Sequence, residues 1–324
     1  MPQKLLAITK NTFLETIRQP IYGVLMWVAA GLLALSPLLA GFSLESGGDN
    51  KVMKDVGLAT LLLYGLLAAV FSATSVITRE IESHTVLTVV SKPVSRPLFL
   101  LGKYLGVTGA VFIGYYFLCL VMLMTVRHGV METAADKYDV PVLLFSGLAV
   151  LISLIAAVFG NYVYGWHFTT TLTAWVVPLG TLAVALVLFV SPEWETQHPG
   201  TDFGDLQMPF ALTMTFCGVL ILTAFAVTLA TRFSQVLTLL FCAGVYLLGL
   251  LSDYMFGRTV GEAWFDKVLY AVTPNFQFFW AGDAITQELT IPGMQVAQVA
   301  IYAAIYSLGI LCLGVALFQT REVS

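Results

Sequence analysis

Gly102 and Lys103 are the one adjacent Gly–Lys pair in the sequence, and such a pair closes the phosphate-cradling loop of nucleotide hydrolases. Here Pro97 stands where that loop needs its first glycine, and Tyr104 stands where it needs Ser or Thr. The pair therefore carries no nucleotide chemistry. His84, His128, His167 and His198 are dozens of residues apart, without the spacing of zinc ligands. Neither H-E-x-x-H nor G-x-S-x-G occurs, so the motifs of zinc hydrolysis and of a serine elbow are absent. Cys119, Cys217, Cys242 and Cys312 are equally scattered and form neither a disulfide framework nor a metal set. Met122 and Met124 read as packing residues of an apolar helix. The chain is not expected to be an enzyme, and no catalytic, metal or cofactor residues are predicted.

The elements that would carry such residues explain why so few exist. Of 324 residues, 58% are hydrophobic and 10% charged, with a mean hydropathy of +0.88. A soluble domain carries about a quarter charged residues, so this chain cannot cover a water-facing surface. It is read as an all-α polytopic membrane protein in one domain over 1–324, with no nucleic-acid partner expected. A crossing helix needs roughly 20 apolar residues. Eight stretches qualify: 21–41, 57–78, 104–126, 142–164, 168–190, 209–230, 236–256 and 296–318. No long period-two alternation points to a membrane barrel. Asp253 is the one Asp, Glu, Lys or Arg inside these stretches. Ion-coupled carriers and pumps need several such groups near midplane, so that class is disfavoured.

Both termini are placed on the cytoplasmic side. That side then holds Lys4, Lys10, Arg18, Arg79, Lys92, Arg96, Lys103, Arg232 and Arg321, nine of the 15 basic residues. The excess follows the positive-inside rule. Residues 1–20 are not a secretory signal, because Lys4, Lys10 and Arg18 interrupt them. Leu6, Phe13 and Ile17, with Leu14 beside them, recur near helical spacing before Pro20. That predicts an interfacial amphipathic helix; a frayed polar tail is the alternative. The pair at 142–190 is joined by a connection without Lys or Arg. A six-span arrangement with that pair placed differently stays open.

One polar run interrupts this hydrophobic chain: REIESHTVLTVVSKPVSRPLFLLGKYLG, Arg79 to Gly106. Arg79 is expected to end the second span, where a cation complements a helix C-terminus. A short surface helix with Glu80, Glu82, His84 and Thr85 should follow, although its β-branched end weakens that reading. Lys92–Pro93 forces an extended break. Ser95 is placed to cap the next helix, with Pro97 tolerated in its first turn. A docking element or a plain interfacial loop both fit these residues.

The run closely resembles the cytoplasmic segment of type-two ABC transporter permeases, the exporter-like group that includes the permeases of nitrous-oxide-reductase and multicopper-enzyme maturation systems. The matching positions are Arg79, Glu80, Glu82, Thr85, Ser91, Pro93, Val94, Ser95, Arg96, Gly102, Lys103 and Gly106. LATRFSQVLTLLFCAG (229–244) and LYAVTPNFQFFWAGDAI (269–285) are similar to later segments of the same group. Most relatives have six spans, so 142–190 is expected to be an inserted helix pair. The resemblance implies a separate cytoplasmic P-loop ATPase that binds ATP and Mg and docks on a coupling hairpin at 79–103. It implies that Glu80 and Glu82 contact that subunit and that Arg79 and Arg96 anchor the hairpin, with Thr85, Pro93 and Ser95 shaping it. It also implies a second permease subunit, identical or different, in the lipid of a prokaryotic plasma membrane. An accessory membrane protein that docks a cytoplasmic partner without transport is the alternative.

Gly102, Gly106, Ala110 and Gly114 recur every four residues. Such a row lets helix backbones approach closely, either between spans of one chain or across a dimer. At 257–295 the aromatics Trp264, Phe265, Tyr270, Phe276, Phe278, Phe279 and Trp280 predict a segment in, or dipping into, the outer interface.

Overall fold

The computed structural model describes residues 2–40, 49–82, 95–130, 138–203, 206–257, 264–287 and 289–319. The long helices are α1 (Pro2–Ile17), α2 (Pro20–Ala40), α3 (Asp49–Glu82), α4 (Arg96–His128), α5 (Val140–Tyr164), α6 (Phe168–Val187), α7 (Gln207–Ala230), α8 (Gln235–Ser252), α9 (Trp264–Val272) and α10 (Gly293–Gln319). Among the described residues, eight helical segments are long and apolar enough to cross a membrane, one in each of α2 to α8 and in α10. In hydrocarbon every backbone amide must find its partner within the segment, which is why such runs become helices. Two contacts fix their common direction. Arg96, at the start of α4, donates to the Phe318 carbonyl near the end of α10. Arg232, in the turn between α7 and α8, donates to the neighbouring Leu317 carbonyl. The start of α4, the α7–α8 turn and the end of α10 therefore share one face, called the inner face below.

α3 and α7 are the most buried spans and pack along each other, with α10 against α7 and α2 against α3. α5 and α6 pack chiefly on each other and touch the remainder through α4 and α2. They carry a small core of their own, with Val142, Ala149, Ala183 and Val187 buried beside Met124. The pair is closed by a Schellman turn. Gly165 adopts φ 65°, and the amides of Gly165 and Trp166 donate to the Asn161 and Gly160 carbonyls at 3.1 and 3.2 Å. Only glycine takes that backbone angle without strain.

Helix ends depart from the hydropathy reading. α3 runs unbroken through Glu82, so Arg79 does not end it, and α4 starts at Arg96, eight residues before the apolar run at 104. A 33-residue helix such as α4 is about 50 Å long, against a hydrocarbon core of roughly 30 Å. Polar residues are compatible with helix once the chain has left the bilayer. α1 docks beside this projecting start: Ile8, Thr12 and Phe13 pack against Gly102, Gly106 and Gly109 in parallel register. Its buried face carries Thr12, Thr16 and Ile17, while Leu6 is exposed. At the opposite face α8 passes through one π turn, Asp253–Gly257. There Asp253 accepts a 3.1 Å hydrogen bond from the Tyr270 hydroxyl.

Candidate functional site

The inner face gathers most of the predicted residues. Ser95 takes the N-cap position of α4 with φ −67° and ψ 142°, and Pro97 sits in the first turn. The Ser95 hydroxyl makes no cap hydrogen bond among the described residues. Arg96 is held twice by α10: its Nη1 donates to the Phe318 carbonyl at 2.8 Å, and its guanidinium lies 5.5 Å from the Phe318 ring centre. Phe99 stacks on the same ring at 5.9 Å. Two arginines from distant parts of the chain thus satisfy the last carbonyls of α10, where the helix dipole is negative. Lys103 is 1% exposed, with its ammonium 5.4 Å from the Phe99 ring centre, a cation–π contact in a desolvated setting.

Arg79, Glu80 and Glu82 lie in the last turns of α3, in the helix that enters the 83–94 segment. Thr85 and Pro93 fall outside the described residues, as does most of the surface helix expected there. The four small residues of α4 are all buried within the chain. Gly102 and Gly106 face α1, the Ala110 carbonyl accepts a 2.9 Å hydrogen bond from Tyr22, and Gly114 faces the hydroxyls of Tyr64 and Tyr22.

A second polar constellation, at the opposite face, has no counterpart in the sequence reading. Arg127 Nε donates to Asp139 Oδ2 at 3.0 Å, and its Nη1 lies 3.0 Å from Asp202 Oδ2. The Arg127 and Asp139 side chains are 3% and 5% exposed. The guanidinium also donates to the carbonyls of Val187 and Val190 at the end of α6. Asp139 caps α5 by accepting from the Val142 amide at 3.1 Å, and Gln197 donates to Asp202 at 2.7 Å. One arginine at the end of α4 therefore ties together the start of α5 and the segment that follows α6. Asp139-Val-Pro ahead of an apolar run is an N-cap signal, and it was the available clue. The pairing with Arg127 had none.

The aromatic segment dips inward. Phe276 and Phe279 are 1% and 0% exposed, whereas Trp264 and Phe278 are exposed. Phe276 meets Tyr246 of α8, and Phe279 lies on Gly218 of α7 and near Tyr302 of α10. Asn275 starts the 3-10 turn by accepting from the Gln277 amide at 3.0 Å. An apolar cleft of about 550 Å³ separates the α5–α6 pair from the core, lined among others by Trp27, Phe117, Met124, Leu151 and Val184. Among the described residues no three His, Cys, Asp or Glu side chains converge as a metal site.

These features define a class: an all-α, eight-span membrane protein with a buried ion cluster at one face and a docked N-terminal helix at the other. Residues 6–161 match the family model described as ABC-2 family transporter protein. The match covers α1 to α4, the polar run between α3 and α4, and nearly all of α5, a little under half of the chain. No curated protein matches the sequence.

Proposed function

We propose that this chain is the membrane-spanning permease subunit of an ATP-binding cassette transporter, paired with a separate cytoplasmic ATPase. The observation that carries the proposal is the family match, which includes the 79–106 run and the helices on either side of it. In this reading the inner face is cytoplasmic, and 79–103 is the coupling segment. Glu80 and Glu82, at the end of α3, make the polar contacts to the ATPase. Arg96 serves as an anchor: its bonds to α10 transmit a push on the start of α4 to the last span. The inserted pair moves with α4, because Arg127 holds α5 and α6 to its far end. Export as the direction, a second permease subunit, and a prokaryotic plasma membrane belong to the same proposal. The finer likeness to permeases of nitrous-oxide-reductase maturation belongs to it too and assigns no cargo.

The test is purification of the tagged chain from its native membrane in mild detergent, followed by identification of its companions. A stoichiometric P-loop ATPase is the expected result. Replacing Glu80 and Glu82 together with lysine should then detach it, or abolish its stimulated hydrolysis, without loss of membrane insertion. An intact preparation that contains no ATPase turns the reading toward an accessory docking protein.

A further inference from the structure

The apolar cleft between α2 and α4 on one side and α5 and α6 on the other has no part in the coupling role. It encloses about 550 Å³, whereas packed interiors leave few voids larger than a water molecule. An apolar cavity of about 150 Å³ already holds a ligand the size of benzene. Both walls leave the space open. A methyl group at Gly31 of α2 or at Gly147 of α5 would meet nothing described within 4 Å. Leu143, Leu151 and Leu154 are exposed along the α5 wall.

The chemistry of the walls and their length specify the occupant. Among the described residues no Asp, Glu, Lys or Arg lines the cleft. Its two hydroxyls are engaged within their own helices: Thr125 donates to the Val121 carbonyl at 2.9 Å, and Ser146 to the Val142 carbonyl at 2.6 Å. His128, stacked on Tyr138, stands at one end. A charged or hydrogen-bonding occupant would lose its hydration here without replacement. The α4 wall runs from Phe117 to His128 at the end of that helix, and the α5 wall from Val142 near its start to Leu154. Eleven or twelve residues of helix are about 16–18 Å long, close to half of a hydrocarbon core of roughly 30 Å. The cleft is therefore as deep as one leaflet, the leaflet opposite the inner face. We infer that this cleft binds one acyl chain of a phospholipid from that leaflet.

In that complex the acyl chain lies between Phe117, Val121 and Met124 of α4 and Leu151 and Val184 of the α5–α6 pair. The headgroup sits at the end marked by His128, where α4 leaves the bilayer. An acyl chain requires no hydrogen bond and meets walls that offer none. Water would find too few polar partners to be ordered there. The bound chain completes the packing between the α5–α6 pair and the core, because the lining side chains gain the dispersion contacts that an empty space denies them. The inference rests on the polypeptide crossing a membrane, not on the permease proposal.

The experiment reconstitutes the full-length protein with phosphatidylcholine that carries a diazirine midway along one acyl chain. The protein is extracted, washed in mild detergent to strip loosely held lipid, irradiated, and mapped by peptide mass spectrometry. Label is expected on Met124, Leu151 or Val184 and not on Leu247, which is exposed on α8 and serves as the control for lipid that the wash removes. Gly147→Leu fills the cleft from the α5 wall and should abolish the label there. Gly31→Leu fills it from the α2 wall and serves in case Gly147→Leu does not fold. Absence of label from the cleft of the parent, equal labelling of Leu247 after the wash, or unchanged labelling in a folded variant overturns the assignment. Loss of the label on adding free fatty acid, but not on adding unlabelled phosphatidylcholine, would assign the cleft to a free fatty acid and overturn the phospholipid as its source.

Discussion

Replacing Arg127 with methionine keeps an unbranched apolar stem as far as about the position of Nε and removes the charge and the donors. The guanidinium and the Asp139 carboxylate are 3% and 5% exposed and 3.0 Å apart, so the substitution leaves a carboxylate buried without its cation. Breaking such a pair from one side costs about 3–5 kcal/mol. Asp202 is 19% exposed, and solvent screens its share, which places the expectation near the lower end, about 3 kcal/mol. Asp139 retains the Val142 amide, which limits the loss further. At roughly 2–4 °C per kcal/mol for sizeable domains, the melting temperature should fall by at least about 6 °C. The assay is thermal unfolding of the purified chain in detergent, followed by tryptophan fluorescence. A cycle with Asp139→Asn isolates the pair: the double variant should be more stable than the two single losses predict, by at least about 1 kcal/mol. A melting temperature within 1 °C of the parent, or strictly additive losses, would refute the view that this arginine fastens the α5–α6 pair to the core.

Two further outcomes test the packing and the caps. A methyl group at Gly114 would lie 1.8 Å from the Tyr64 hydroxyl, so Gly114→Ala should destabilise by about 1–3 kcal/mol and be partly rescued by Tyr64→Phe. Gly147→Ala, where nothing described lies within 4 Å, should be neutral or slightly stabilising in the same melting assay. Ser95→Ala should change stability by less than about 0.5 kcal/mol because the hydroxyl makes no cap bond among the described residues, whereas a serine that does cap a helix contributes about 1 kcal/mol.

Much of the site was legible residue by residue, yet not its connections. The polar run announced itself because charge is scarce in this chain, and Ser95 and Pro97 fall at the start of α4 as their preferences require. That Arg96 would hold α10 could not be read, because its partner is a backbone carbonyl 222 residues away. Carbonyl partners leave no mark in side-chain identity. The same holds for Arg127, two of whose acceptors are the carbonyls of Val187 and Val190. The small row on α4 was visible as a close-approach face, but α1 as its neighbour was not.

The sequence by itself determined that the chain crosses a membrane, and which eight stretches are apolar enough to do so. Hydropathy is summed over one segment at a time, and each span must satisfy its own backbone. Tertiary structure alone decided which face of each helix is inside. In a chain apolar on every side, lipid and core select the same residues, so periodicity cannot distinguish Phe279 in the core from Phe278 at the surface. It also decided that α3 continues to Glu82 and that α4 starts at Arg96; the start of α4 is supported by α1 and α10, so that helix need not stop where the hydrocarbon does.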